Sequence, residues 1–322
     1  MGVMVAAILG AVTFLYPTLS HRDGLPSRSN DVATSPRPLE GSGREIHIVK
    51  ADAATSNVPR DVAPARESST MFNQYADASD LRLFVEESKR RVARGGIFYA
   101  SAALDECRAL KAEIEGSASL ADAVKLAAST ALAGQPMTPR MRALAVLQGR
   151  CANFTADELG VAEQRSMIAW GRAQDPLARL RARLLEGATG LQDPEKRQVL
   201  MKELLAVGDP GMLELVRGLA WSSSGELSSI YVDGQAFGGL DGEQFDTAWM
   251  LMTCAIAERC GSRGIVVEQN CGLADKCAES LAALLRSRAG SDEEYRKIAA
   301  VADRLTQIVL SRQVSALLPM PK

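Results

Sequence analysis

Six cysteines and two histidines set the limits on the chemistry this chain can support. Four of the cysteines fall between Cys254 and Cys277, spaced C-x5-C, ten residues, then C-x5-C. Thiols grouped this closely either pair as disulfides or hold a metal as thiolates. Metal knuckles place two ligands two to four residues apart, so a gap of five favours pairing, and a structural zinc on four thiolates is the alternative. The mirrored spacing suits two antiparallel segments and predicts nested pairs, Cys254–Cys277 and Cys260–Cys271. The remaining two, Cys107 and Cys151, face a core from separate helical stretches, and the simplest arrangement joins them. No C-x-x-C is present, which argues against a thioredoxin-type redox site. Three disulfides imply an oxidising compartment.

The histidines narrow the chemistry further. His21 and His47 both precede the stretch in which helical periodicity begins. The folded part therefore lacks the usual general base, triad member and zinc ligand. No G-x-x-x-x-G-K-[ST] and no G-x-G-x-x-G occurs, and Trp221-Ser-Ser-Ser-Gly225 does not match G-x-S-x-G. Catalysis by a pair of carboxylates needs no histidine and stays open as the enzymatic alternative. The sequence itself singles out no catalytic residue, no cofactor site and no metal site.

Composition then bounds the elements that could position these residues. The chain has 322 residues, 47% hydrophobic and 24% charged, with a formal net charge of −2. Interleaved acids and bases leave no basic footprint for nucleic acid. Aromatics make up 5%, while Ala, Leu and Arg abound after residue 79, which favours helices over strands.

Residues 3–19 carry no charge. At about 1.5 Å per residue they would span roughly 25 Å as a helix, near the lower limit for crossing a bilayer. Residues 1–20 are expected to be a transmembrane anchor or uncleaved signal. Arg22, Arg28 and Arg37 follow this run and nothing basic precedes it, which by the positive-inside rule would leave the body in the cytoplasm. The cysteines argue for the opposite side, and we follow them: an inner-membrane anchor with the body in the periplasm. Residues 21–78, with Pro26, Pro36, Pro38, Pro59 and Pro64, read as a disordered linker.

Helical periodicity begins at Ser79 with Leu81, Phe84, Val85 and Val92, and Gly95-Gly96 interrupts it. Tyr99, Ala103, Cys107, Leu110 and Ile114 form a second stripe. Further helices are expected over 120–132 and from Pro139 to Cys151. Thr155 and Glu158 have capping-box spacing for a helix carrying Met167, Ile168 and Trp170. Gln174-Asp175-Pro176-Leu177 and Gly208-Asp209-Pro210-Gly211 then echo one another 34 residues apart, each opening a helical run with an Asp cap and Pro at the first helical position. Over about residues 155–222 this spacing resembles the tetratricopeptide and Sel1-like helical-repeat families. The resemblance implies an α-solenoid scaffold that binds a protein partner. An irregular helical array, in which Asp-Pro simply marks helix starts, is the other arrangement, and Asp193-Pro194 falls between the two copies.

Residues 222–242 form the longest non-helical stretch and a possible sub-division of the body. With the helix start that follows, it offers Tyr231, Asp233, Asp241, Glu243 and Asp246 as a candidate functional loop, while lacking the calcium-loop pattern. Trp249 lies on the apolar stripe of the next helix, and Ser291 with Glu294 opens the last one. The sequence thus predicts an all-α body over 79–322, stapled by disulfides behind an anchor and linker. Its expected role is that of an envelope scaffold for an unidentified protein partner.

Overall fold

The computed structural model describes residues 63–186, 193–221, 230–237, 241–261 and 263–318. The expected anchor, and the linker up to residue 62, lie outside the described residues. Thirteen α-helices occur among them: α1 (Ala63–Asp77), α2 (Leu81–Ser88), α3 (Gly96–Gly116), α4 (Ala118–Leu132), α5 (Pro139–Cys151), α6 (Val161–Gly171), α7 (Pro176–Glu186), α8 (Pro194–Val207), α9 (Pro210–Trp221), α10 (Asp241–Ile256), α11 (Ile265–Ala274), α12 (Leu281–Arg288) and α13 (Asp292–Leu310). A hairpin of β1 (Ile230–Val232) and β2 (Gln235–Phe237) lies between α9 and α10.

The body begins earlier than the sequence suggested. Residues 63–77 are a helix, where a linker to 78 was expected, and Met71 and Tyr75 are buried at 2% and 1% exposure. Only Met71, Phe72 and Tyr75 give this helix an apolar face, too few to stand out beside Pro64 and the serines.

Helix α3 is the hub. Its residues from Gly96 to Leu104 are all buried, and it packs on α1, α2, α4, α5, α6 and α7. Two glycines make its start possible. Gly95 sits at φ 86°, and a Cβ on Gly96 would lie 2.0 Å from the Ser88 carbonyl oxygen, so the turn out of α2 closes only without side chains. The other close packings are α10 on α13, α11 and α4 on α5, and α8 on α9. One large core runs from Met71 to Leu317, and a satellite of Leu120, Val124, Ala127 and Leu144 lies between α4 and α5.

Local capping explains many of the helix starts. Asp80, Ser117, Thr138, Asp193, Ser280 and Ser291 each accept a backbone N–H from the first turn of the following helix. The Thr155–Glu158 box also forms, with Thr155 N–H donating to Glu158 at 2.8 Å and Glu158 N–H to Thr155 at 3.3 Å. It closes a turn, however, and α6 starts only at Val161 behind Gly160. Trp170 lies on its exposed side at 59% exposure, whereas Trp249 is in the core at 1%.

Candidate functional site

The candidate loop does not converge into a site. Asp233-Gly234 forms the tip of the β1–β2 hairpin, with φ values of 51° and 81°. This is the left-handed pair that a two-residue turn demands. Asp233 is ion-paired with Arg304 of α13, which holds its carboxyl below the usual range. Tyr231 is half-buried, Glu243 is exposed on α10, and Asp246 lies 2.6 Å from Arg217. Asp241 opens α10, and its side chain is outside the described residues, as are 222–229 and 238–240. Where Glu214 and Asp246 come together, Arg217 bridges them. A guanidinium between two carboxylates is an ion-pair network, unlike the facing acids that glycoside-type chemistry requires.

Buried charge gathers instead around α3. Arg150 of α5, 4% exposed, donates to Glu106 at 3.1 Å and to the carbonyls of Tyr75, Ala76 and Ala78, closing the C-terminal end of α1 with a cation. Tyr75 donates its hydroxyl to the other Glu106 oxygen at 2.7 Å. One residue earlier, Asp105 receives Arg181 of α7 at 3.0 Å and Arg108 at 2.9 Å, and Gln164 of α6 completes the group through Ser101. Two neighbouring carboxylates are thus each matched to guanidinium groups from different helices.

The N-terminal end of α3 meets two buried aspartates. Asp175 is fully buried and accepts four backbone N–H bonds, from Ile97 and Phe98 at 2.8 and 3.0 Å and from Leu177 and Ala178 at 2.8 and 2.9 Å. One carboxylate therefore caps α3 and α7 together. Burial pushes its carboxyl up, and the four donors pull it part of the way back. Asp209 likewise accepts Met212 N–H at 3.2 Å and the Tyr99 hydroxyl at 2.6 Å. Burial, with Asp209 alongside, holds that hydroxyl well above the usual phenol range. The two aspartates of the 34-residue echo both reach residues 97–99, while the intervening Asp193 caps only its own helix.

A cleft of about 360 Å³ opens where the end of α1, the flank of α5 and the start of α11 meet. Ala78, Ala145, Val146 and Ile265 supply its apolar wall, and Arg263, Glu268 and Asp77 its charged rim. Arg263 donates to Glu268 at 2.7 Å, and Asp77 is ion-paired with Arg259, which lowers its pKa. Val146 keeps 47% of its surface exposed here. The volume falls in the range of small-ligand sites, and the wall suits an apolar side chain.

All six cysteines are disulfide-bonded: Cys107–Cys151, Cys254–Cys260 and Cys271–Cys277. The first joins α3 to α5. The nested pairs expected for the other four are replaced by two local loops, and with every sulfur in a disulfide no thiolate remains to ligate zinc. The reason lies in the helix ends. α10 stops at Ile256 and α11 at Ala274, after which Glu258 and Asp275 each adopt φ 56° and turn the chain back on its own last turn. The signal was present in the sequence: Cys254-Ala-Ile-Ala-Glu-Arg-Cys260 and Cys271-Gly-Leu-Ala-Asp-Lys-Cys277 share one pattern of cysteine, small residue, aliphatic, alanine, acid, base and cysteine. Among the described residues no cluster of metal-ligating side chains occurs and no helix is long and apolar enough to cross a membrane. No family model, curated protein or solved structure matches the sequence.

Proposed function

We propose that this chain is a non-catalytic helical interaction module, anchored at the membrane by its first residues and facing an oxidising envelope space, where it holds a protein partner. The observation that carries this reading is that, among the described residues, the cysteines and the buried carboxylates are engaged in holding the fold. Six cysteines form three disulfides, and the buried carboxylates sit on guanidinium groups, a tyrosine hydroxyl or helix N-termini. Such groups rigidify a surface rather than move protons. Between the end of α1, α5 and α11 that surface is concave, with Val146 bare beside Arg263. A helical-repeat scaffold of the tetratricopeptide type is the architecture we propose for residues 155–222, with Asp175 and Asp209 as equivalent caps. A tether at the membrane would raise the local concentration of a partner held there.

Two measurements on the full chain test this. Thiols blocked at lysis and counted after denaturation without reductant should be absent; six free thiols would overturn the oxidising location. A photo-crosslinker at Val146 in the native membrane should give one discrete protein adduct, weakened by Arg263→Glu. Equal adducts at Val146 and at the remote exposed Leu310 would remove the cleft as the docking surface.

A further inference from the structure

The two seven-residue disulfide loops share a pattern and differ in exposure. Cys254 is buried and Cys260 half-buried, whereas Cys271 is fully buried and Cys277 is exposed. Cys277 is the one exposed cysteine of the six, all of which are described. A disulfide between a core cysteine and a surface cysteine favours approach of a nucleophile from solvent on the side of the surface residue. Beside the inner sulfur stands a guanidinium: Arg263 Nη2 is 4.0 Å from Cys271 Sγ, and Arg263 also donates to both Glu268 oxygens, through Nε at 2.7 Å and Nη2 at 3.5 Å. A nearby guanidinium favours a thiolate and makes it a better leaving group.

We infer that the Cys271–Cys277 disulfide is a thiol-exchange site whose substrate is a thiolate, and that Arg263 is its positioning residue. An external thiolate RS⁻ attacks Cys277 Sγ, and a mixed disulfide forms between R and Cys277. The Cys271–Cys277 bond breaks, and its electron pair leaves on Cys271 Sγ as a thiolate beside Arg263. A second thiolate attacking the mixed disulfide at the R sulfur gives RS–SR and leaves the pair on Cys277 Sγ; the open pair is then a dithiolate, which takes two protons from water to become the dithiol. Contacts independent of the disulfide would hold α11 when it opens: Arg140 donates to the Gly272 carbonyl at 3.1 Å, Arg288 donates to Asn270 at 2.6 Å, and α11 packs on α5. The thiol can belong to a small molecule or to the exposed cysteine of a protein dithiol.

The test uses the full chain, purified oxidised and exposed briefly to reduced glutathione or, in a second arm, to reduced thioredoxin. Free thiols are then alkylated and mapped by mass spectrometry. The expected product with glutathione carries the adduct on Cys277 and alkylation on Cys271, before Cys254–Cys260 or Cys107–Cys151 opens. Arg263→Gln should slow this step roughly tenfold and leave the rate at Cys254–Cys260 unchanged, which serves as the internal control for folding. Faster opening by thioredoxin assigns the substrate to protein dithiols, and faster opening by glutathione to small thiols. First opening at either other disulfide, an adduct on Cys271, or an unchanged rate in Arg263→Gln would overturn the proposal.

Discussion

The surroundings of α3 and the stapled ends of α10 and α11 are held together in opposite ways. Around α3 the decisive contacts join residues far apart in sequence: Tyr99 with Asp209, Ile97 with Asp175, Arg150 with Glu106, Cys107 with Cys151. At the ends of α10 and α11 each disulfide closes over a sequence separation of 6. A contact that closes a long loop restricts the unfolded chain far more than a short one. The α3 region therefore should govern global stability, while the staples govern local fraying of two helix ends.

The largest effect that would break this division belongs to Asp175. Asp175→Ala strands four buried N–H donors at two helix starts. At about 1 kcal/mol or more for each stranded donor, the loss in urea unfolding should be on the order of 4 kcal/mol. Asp193→Ala, at a surface cap, should cost about 1 kcal/mol. Equal losses would mean that α3 is no hub. Next comes the double variant Cys107→Ala/Cys151→Ala, which opens a separation of 44 residues, worth about 4 kcal/mol in the chain-entropy model before relaxation of the native state reduces it. The corresponding variant of either staple should cost about 2 kcal/mol. Hydrogen exchange should then show the protection lost at residues 252–260 or 269–277 alone. Global loss of protection on opening a staple would abolish the contrast.

The same contrast explains what the sequence disclosed. Helices with a full apolar stripe, such as the last one with Ile298, Ala302, Leu305 and Val309, were legible because periodicity is a local signal. The Cys107–Cys151 pairing could be read because both residues lie on such stripes. For the other four cysteines the symmetry of spacing points to nested pairs, whereas the helix-stopping turns at Glu258 and Asp275 close each pair locally, and no propensity rule marks a left-handed backbone strongly for Glu. The buried charges could not be seen at all. Glu106 and Arg150 look like ordinary solvated residues until two helices bring them together, and Asp175 reads as a simple cap until the start of α3 arrives on its other oxygen. The cleft is likewise assembled from three distant segments, none of which carries a motif.

The smallest predicted effect lies at the rim of the α3 region. Glu158 receives the Thr155 N–H and an ion pair from Arg82 at 2.8 Å, and these lower its pKa from 4.5 to about 2. Because its folded value lies below its unfolded one, the stabilisation is present above pH 4.5 and is lost as the pH falls through about 2. A third of the Glu158 side chain is exposed, so solvent screening limits the net contribution at neutral pH to about 0.5–1 kcal/mol. Thermal unfolding of Glu158→Gln should therefore fall slightly below the parent protein at pH 7 and converge with it toward pH 2, with high salt shrinking the gap. A gap that persists at pH 2 would assign the loss to packing at the turn, and one of several kcal/mol at pH 7 would make this turn part of the hub rather than its rim.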